Sequence, residues 1–401
     1  MHTQKFNINE FDYELPSERI AEKLLEKRNH SKLLVYDNKT KCLTDKNFSE
    51  IPELLPENSI MVINDSKVVY ARLLFENSNG AVIEIFCIEP FSPTGEMSNA
   101  LLVKGKCVWK CLIGNRKKWK EEILKYKNEE LELHAKLISS ENNENLIEFI
   151  WDEKYSFGDV LHFAGNVPLP PYIKRKAEEI DKKSYQTIYA DKEGSVAAPT
   201  AGLHFTEKEL QKIKNRNISI ERLDLNVGAG TFLPVKTIYA EDHNMHSEKF
   251  YIKKELIKEL LKNKGKVIST GTTTLRALES LYWIGIKMIN ENDTSINSLS
   301  QWEYKLLSYN DISLKNSLIK IRTAFEENNC EVLEFKTSIM ITPGYKFKAV
   351  NILITNFHQP KSTLLLLVSA FTDNNWKMIY EHALKNNYRF LSYGDSSLLF
   401  L

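Results

Sequence analysis

Long apolar runs are missing from this chain. No stretch approaches the ~18 apolar residues that a membrane span requires, and the N-terminal "MHTQKFNINEFDYELPSER" lacks the apolar centre of a signal peptide. A cytoplasmic protein with no membrane partner is the expectation. Cysteine is scarce: Cys42, Cys87, Cys107, Cys111 and Cys330 are odd in number and show no Cys-x-x-Cys spacing. That argues against a disulfide framework and a zinc ribbon, and it fits a reducing cytosol. An excess of either charge is also missing, since 54 Lys plus Arg face 53 Asp plus Glu for a formal net charge of +1. A polyanionic partner must therefore be held by a local patch.

At 401 residues the chain is long enough for two domains and a well-buried core. After "ELPSER", Ser17 is placed to cap a helix on which Ile20, Leu24 and Leu25 fall at helical spacing. "KLLVYD" and "SIMVIND" read as short buried strands. The second ends in Asn64 and Asp65, at the strand end where open α/β sheets place their ligands. From about Val68 to Phe157 the runs "GAVIEIFCI", "KCVWKCLIG", "ELELHAKLI" and "NLIEFIW" alternate with period two, which predicts a small antiparallel β-barrel. The expected fold class is α/β: a discontinuous α/β catalytic domain, 1–67 and 158–401, with the barrel inserted at 68–157.

Beyond about Gly158, "ISIERLDLNV" runs into "GAGTF", "KVIST" into "GTTT" and "LRALESLYW", and "AVNILITNF" into "HQPKST" and "LLLLVSAF". Each reads as strand, small or polar turn, helix, and such turns collect at one sheet edge, where they can line a shared cleft. The Asn/Ser-rich segment from about Gly285 to Asn329 reads as a peripheral elaboration, with one amphipathic stretch near "LKNSLIKIRTAF".

Five motifs carry chemistry. "EDHNMHSEKF" gathers His243, His246 and Glu248, a set that suits proton shuttling, a cationic substrate, metal ligation if a third ligand arrives, or an ordinary surface loop. "GSVAAPTAGLHFTEKEL" is a charge-poor run ending at His204 before the capping box Thr206-x-x-Glu209; it reads either as close backbone approach to an anion or as tight packing. "STGTTTLRALES" offers hydroxyls around Gly271 at a helix start, with Arg276 and Glu279 spaced to pair along the helix. "ITNFHQPKST" sets His358 and Lys361 after an apolar strand, and "RFLSYGDSS" repeats the theme with Tyr393 and Asp395. Within the barrel region Lys104, Lys106, Lys110, Arg116, Lys117 and Lys118 interleave with Trp109 and Trp119. They form either a phosphate-neutralising, base-stacking face or a solvated face over core tryptophans.

Together, "NDSKVVYARL", "VPLPPYI", "YQTIYA", "GSVAAPTAGLHF", "VGAGTF", "HNMHSE", "GTTTLRALES", "TPGY", "LITNFHQPKSTLLLLVSAF" and "SYGD" resemble the S-adenosylmethionine:tRNA ribosyltransferase-isomerase family of queuosine biosynthesis along nearly the whole chain. The resemblance implies transfer and isomerisation of the ribosyl moiety of S-adenosylmethionine onto 7-aminomethyl-7-deazaguanine at the tRNA wobble position. Epoxyqueuosine-tRNA forms, and adenine and methionine are released. It implies tRNA and S-adenosylmethionine as partners and no cofactor beyond S-adenosylmethionine, which is consumed; a monomer or weak homo-oligomer and no metal are expected.

On this resemblance His204, His246, His358 and Asp395 are the expected proton-transfer residues. Arg276 and Lys361 would hold carboxylate or phosphate, and Asn64, Asp65, Arg72, Thr200, Gly228, Gly230, His243, Glu248, Thr272 and Tyr393 would make further substrate contacts. The chain departs from the family pattern at Asn166 and Asn226, where histidine is usual, at Leu233, at Tyr70, and in its "GDSSLLFL" ending. Asparagine keeps a hydrogen bond but cannot exchange a proton near neutral pH. An altered paralogue that binds tRNA without this turnover is therefore the alternative reading, with a metal-dependent hydrolase built on His243, His246 and Glu248 behind it.

Overall fold

A computed structural model of the protein describes residues 5–120, 123–141, 144–226, 228, 235–307 and 312–401. Its largest element is a ten-stranded mixed sheet. At its centre Ser219–Asn226, Ile60–Asn64, Val267–Thr270 and Ile352–Asn356 run parallel, in that order. Ile60–Asn64 is buried along its whole length, as befits a strand covered on both faces. Side-chain alternation sorts its residues: Ile60 and Val62 join the core containing the helices Thr272–Glu291 and Thr363–Phe371, while Met61 and Ile63 join Phe48, Ile51, Phe205 and Ile213 on the other face. Two layers of local structure thus sandwich the sheet.

The four period-two runs form the barrel strands Val82–Ser92, Lys106–Gly114, Glu132–Glu141 and Glu144–Trp151, and Arg72–Glu76 and Leu124–Lys127 complete a closed antiparallel ring. Closure removes free edges. The barrel core draws in the helix Phe157–Ala164, whose Phe157 ring sits against Trp109, Phe149 and Trp151. The chain enters this module directly from the sheet: after Asn64, Ser66–Val68 pairs in parallel with Lys192–Ser195.

Three expectations fail. The stretch after Ser17 forms only a short 3-10 turn, Ser17–Arg19, because Ile20 bridges to Phe390 and leaves the helical path. Among the described residues, which leave out 227 and 229–234, no α-helix lies between Ser219–Asn226 and the next strand, Glu248–Lys253, antiparallel to it; only the 3-10 turn Ala240–Asp242 does. The segment taken as peripheral is central: Leu314–Glu327 buries Leu318, Ile321, Ala324 and Phe325 in the main core. It packs so closely on Thr272–Glu291 that a Cβ at Gly285 would come within 2.1 Å of the Ser317 hydroxyl.

Candidate active site

Three parallel strands end in polar residues, Asn64, Thr270 and Asn356, and a cleft opens at those ends. A strand interior is apolar because it is covered. Its end meets a turn, and polarity there costs little if the groups find partners. Gly271 turns the chain with φ +96°, a conformation that favours glycine, and donates its N–H to the Ile354 carbonyl at 2.8 Å. The twenty-residue helix Thr272–Glu291 starts immediately, so Thr272, Thr273 and Thr274 line the cleft with first-turn N–H groups that have no intrahelical acceptor.

On the neighbouring strand the Thr200 hydroxyl donates to Asn356 Oδ1 at 2.8 Å and fixes that amide. Asn356 Nδ2 and Thr270 Oγ1 are buried without a hydrogen-bond partner among the described residues. His358 completes the wall: its Nε2 lies 3.0 Å from Thr355 Oγ1, its N–H donates to the Tyr380 hydroxyl at 3.0 Å, and its carbonyl accepts from the Tyr13 hydroxyl at 2.5 Å. Burial pushes its pKa down to about 3, so the imidazole is neutral near pH 7. Across the cleft Tyr172 and Ser392 hydrogen-bond through their hydroxyls at 2.5 Å.

Of the candidate residues, the cleft brings together Asn64, Thr200, Thr272 and His358. His204 and Asp395 lie behind it. His204 is fully buried, its Nδ1 3.3 Å from the Arg28 carbonyl and its ring 5.2 Å from that of Phe48, and burial lowers its pKa to about 4. Asp395 accepts backbone N–H bonds from Lys32 at 3.0 Å and Arg389 at 2.8 Å, and burial raises its pKa against those bonds. The Arg389 charge acts on both groups, which places them around the same turn. The front of that turn, Leu391 and Ser392, lines the cleft.

The motif at 243–248 divides. His246 is exposed; His243 is half-buried, its pKa lowered by burial and by His246. Glu248 is buried and turns to Arg276, which it meets at 2.5 Å. Arg276 also donates to the Ile339 carbonyl at 3.1 Å. The expected pairing of Arg276 with Glu279 does not form, because a helix buried on most sides offers each residue partners from other elements. Glu279 accepts from the Tyr345 hydroxyl and from the N–H groups of Lys348, Ala349 and Val350. Among the described residues no group of three or more His, Cys, Asp or Glu is placed to hold a metal.

The other polar candidates lie outside the cleft, and most are engaged by other partners. Lys361 pairs with Asp12 at 2.9 Å. Tyr393 donates to Asp181 at 2.9 Å, in a network with Arg175. Arg72 points along the barrel to Glu84 and the Leu169 carbonyl. Asp65 is buried with its pKa raised by burial and then by Asp224, and Arg222 stands 3.9 Å away. Among the described residues nothing lies within 4 Å of where a Cβ on Gly228 would sit, while Gly230 and Leu233 fall outside the described residues. Asn166 donates to the Arg72 carbonyl at 3.4 Å, and Asn226 sits so close to Gly194 that a Cβ there would meet its Oδ1 at 2.9 Å. Thr270 and Asn356 were missed. Their signal is present in "KVIST" and "ILITN", apolar strands that end on a hydroxyl or an amide.

On the barrel, Trp109 and Trp119 are buried, which corrects the base-stacking expectation. Period two turns Cys107, Trp109 and Cys111 inward and Lys106 and Lys110 outward. Lys106 meets Glu148 at 2.6 Å and Lys110 meets Glu89 at 3.4 Å. Arg116 donates to the Trp119 carbonyl at 2.9 Å, and Lys104, Lys117 and Lys118 are exposed.

The family model described as "Queuosine biosynthesis protein" matches residues 8–399. A protein of Fusobacterium nucleatum named S-adenosylmethionine:tRNA ribosyltransferase-isomerase is 37% identical over 98% of this chain and 97% of its own length. One of the same name from Halothermothrix orenii is 38% identical over 98% and 99%. A crystal structure described as S-adenosylmethionine tRNA ribosyltransferase from Thermotoga maritima aligns with 98% of this chain and 100% of its own at 27% identity, with a TM-score of 0.47. Matched end to end by that family model and by relatives well above 30% identity, the chain belongs to the S-adenosylmethionine:tRNA ribosyltransferase-isomerase family of queuosine biosynthesis enzymes.

Proposed function

We propose that this enzyme moves the ribosyl group of S-adenosylmethionine onto 7-aminomethyl-7-deazaguanine at the tRNA wobble position and isomerises it, giving epoxyqueuosine-tRNA, adenine and methionine. The observation that carries the reading is the cleft at the parallel strand ends, where hydroxyls, amides and a neutral imidazole converge without a paired charge in its floor. A sulfonium acidifies the adjacent 5′ C–H, so a neutral, positioned base is what the first step needs, and His358 is the group in the cleft that is in the accepting form. S-adenosylmethionine is consumed, and no further cofactor is assigned. The tRNA is presented by the barrel, whose exposed Lys104, Lys117 and Lys118 are free to meet phosphates.

The test is incubation with S-adenosylmethionine and tRNA carrying the aminomethyl-deazaguanine. Free adenine is followed with time and the nucleoside product by mass. Wild type releases adenine with turnover, and His358→Asn lowers kcat about 10²–10⁴-fold. No adenine under conditions where a Fusobacterium or Halothermothrix relative releases it would leave the non-catalytic tRNA-binding reading in its place.

A further inference from the structure

The two cations expected to hold an anionic group each meet a carboxylate of the protein, and neither lines the cleft. Arg276 is paired with Glu248 and Lys361 with Asp12. The cleft instead presents neutral donors. The helix Thr272–Glu291 points its unpaired first-turn N–H groups at it, and Thr273 and Thr274 border it. Independently of that helix, Asn356 and Thr270 end the two neighbouring strands at the same wall, 3% and 2% exposed, with Nδ2 and Oγ1 unpartnered among the described residues. The Thr200 hydroxyl occupies Asn356 Oδ1, so what that amide has left to offer is N–H. Buried donors without acceptors are costly, and a cost of that kind at a ligand site is recovered when the ligand brings the acceptor.

We infer that this corner of the cleft, Asn356 Nδ2, Thr270 Oγ1 and the start of the helix at Thr272, binds the α-carboxylate of the methionine tail of S-adenosylmethionine and so sets which end of the substrate enters first. The assignment rests on the proposed function and deepens it. A carboxylate is a terminal group and can reach a floor that is almost fully covered. A tRNA phosphate is flanked on both sides by its own chain and is confined to open surface. The residues act on binding and orientation, and they take part in no bond making.

The experiment compares S-adenosylmethionine with its decarboxylated analogue, which keeps the sulfonium and the adenosine, as substrates for adenine release in the presence of the modified tRNA. Wild type prefers the carboxylate-bearing substrate about 100-fold in kcat/KM, as expected for a site built around a buried hydrogen-bonded group. Asn356→Asp replaces the amide donors with a charge of the ligand's own sign, and the preference falls to near unity or inverts. Thr270→Val, of nearly equal volume, narrows it about tenfold. A purely structural defect lowers both substrates together and leaves the ratio unmoved, and that result overturns the assignment. So does a wild-type ratio near one while S-adenosylmethionine still turns over, in which case the proposed function stands and only the orientation is lost. Absence of turnover with either substrate removes the function and this assignment with it.

Discussion

The floor of the cleft and the layer behind it are made of the same kinds of side chain and differ in whether their remaining hydrogen-bonding groups can meet a ligand. In front, Asn356 and Thr270 keep unused hydrogen-bonding groups and His358 keeps a neutral ring. Behind, Asp395 holds two backbone N–H groups, Tyr393 holds Asp181, and Glu248 holds Arg276. Residue type and loop position do not separate a group that meets substrate from one that fixes the loop. Access to the cleft does: His204 Nε2 and Arg276 Nη2 are also buried without a partner among the described residues, but Thr270 and Asn356 line the cleft and those two do not.

The sharpest way to break this contrast is at the buried ion pair. Arg276→Met takes the cation away from the buried Glu248 carboxylate, and a loss of about 3–5 kcal/mol in unfolding free energy is expected. Denaturant titration measures it, and the double variant with Glu248→Leu recovers most of it. If Arg276→Met were as stable as wild type and had lost only substrate binding, Arg276 would belong to the front.

Next comes His204. Its folded pKa, about 4, lies below its ordinary value. Its neutral form therefore stabilises the fold fully above about pH 6.5, and that contribution, about 3 kcal/mol in all, is lost as pH falls toward 4. His204→Gln flattens the decline of Tm between those pH values. An unchanged acid slope, together with a kcat that loses its pH dependence, would move His204 into the chemistry.

Asp395→Asn tests the same boundary more gently. One of two charge-assisted backbone bonds is replaced by an amide facing a donor, at a cost of about 1–3 kcal/mol. The expected result is a lower Tm with kcat within a factor of ten. A kcat lost a thousandfold at unchanged Tm would make Asp395 a reacting group.

The smallest effects belong to the barrel. Lys117→Ala and Lys118→Ala each weaken tRNA binding by a few-fold and reduce the salt slope by about one, while Lys106→Ala, whose ammonium already meets Glu148, does less. Binding isotherms at several salt concentrations separate the two.

What was legible in the sequence followed the reach of its signals. Period-two alternation is local, so the barrel strands could be read, as could the strand ends at Asn64 and the turn at Gly271. The helical spacing after Ser17 was equally local, but the bridge from Ile20 to Phe390 overrides it from across the chain. The partners of Arg276 and Lys361 lie 28 and 349 positions away, and no spacing rule reaches them. The amphipathic pattern of "LKNSLIKIRTAF" was legible, but the Asn/Ser-rich composition at 285–329 gave no sign that its apolar residues face the main core.

Glu279 has a mechanical consequence. It sits two turns into the helix that begins at the cleft, and through Lys348, Ala349 and Val350 it grips the backbone just ahead of the strand that ends in Asn356. Helix start and strand end are thereby cross-braced into one stiff jaw. Any adjustment around a bound nucleoside falls to the opposing side, where Tyr172 and Ser392 meet through a hydroxyl contact that a ligand can part.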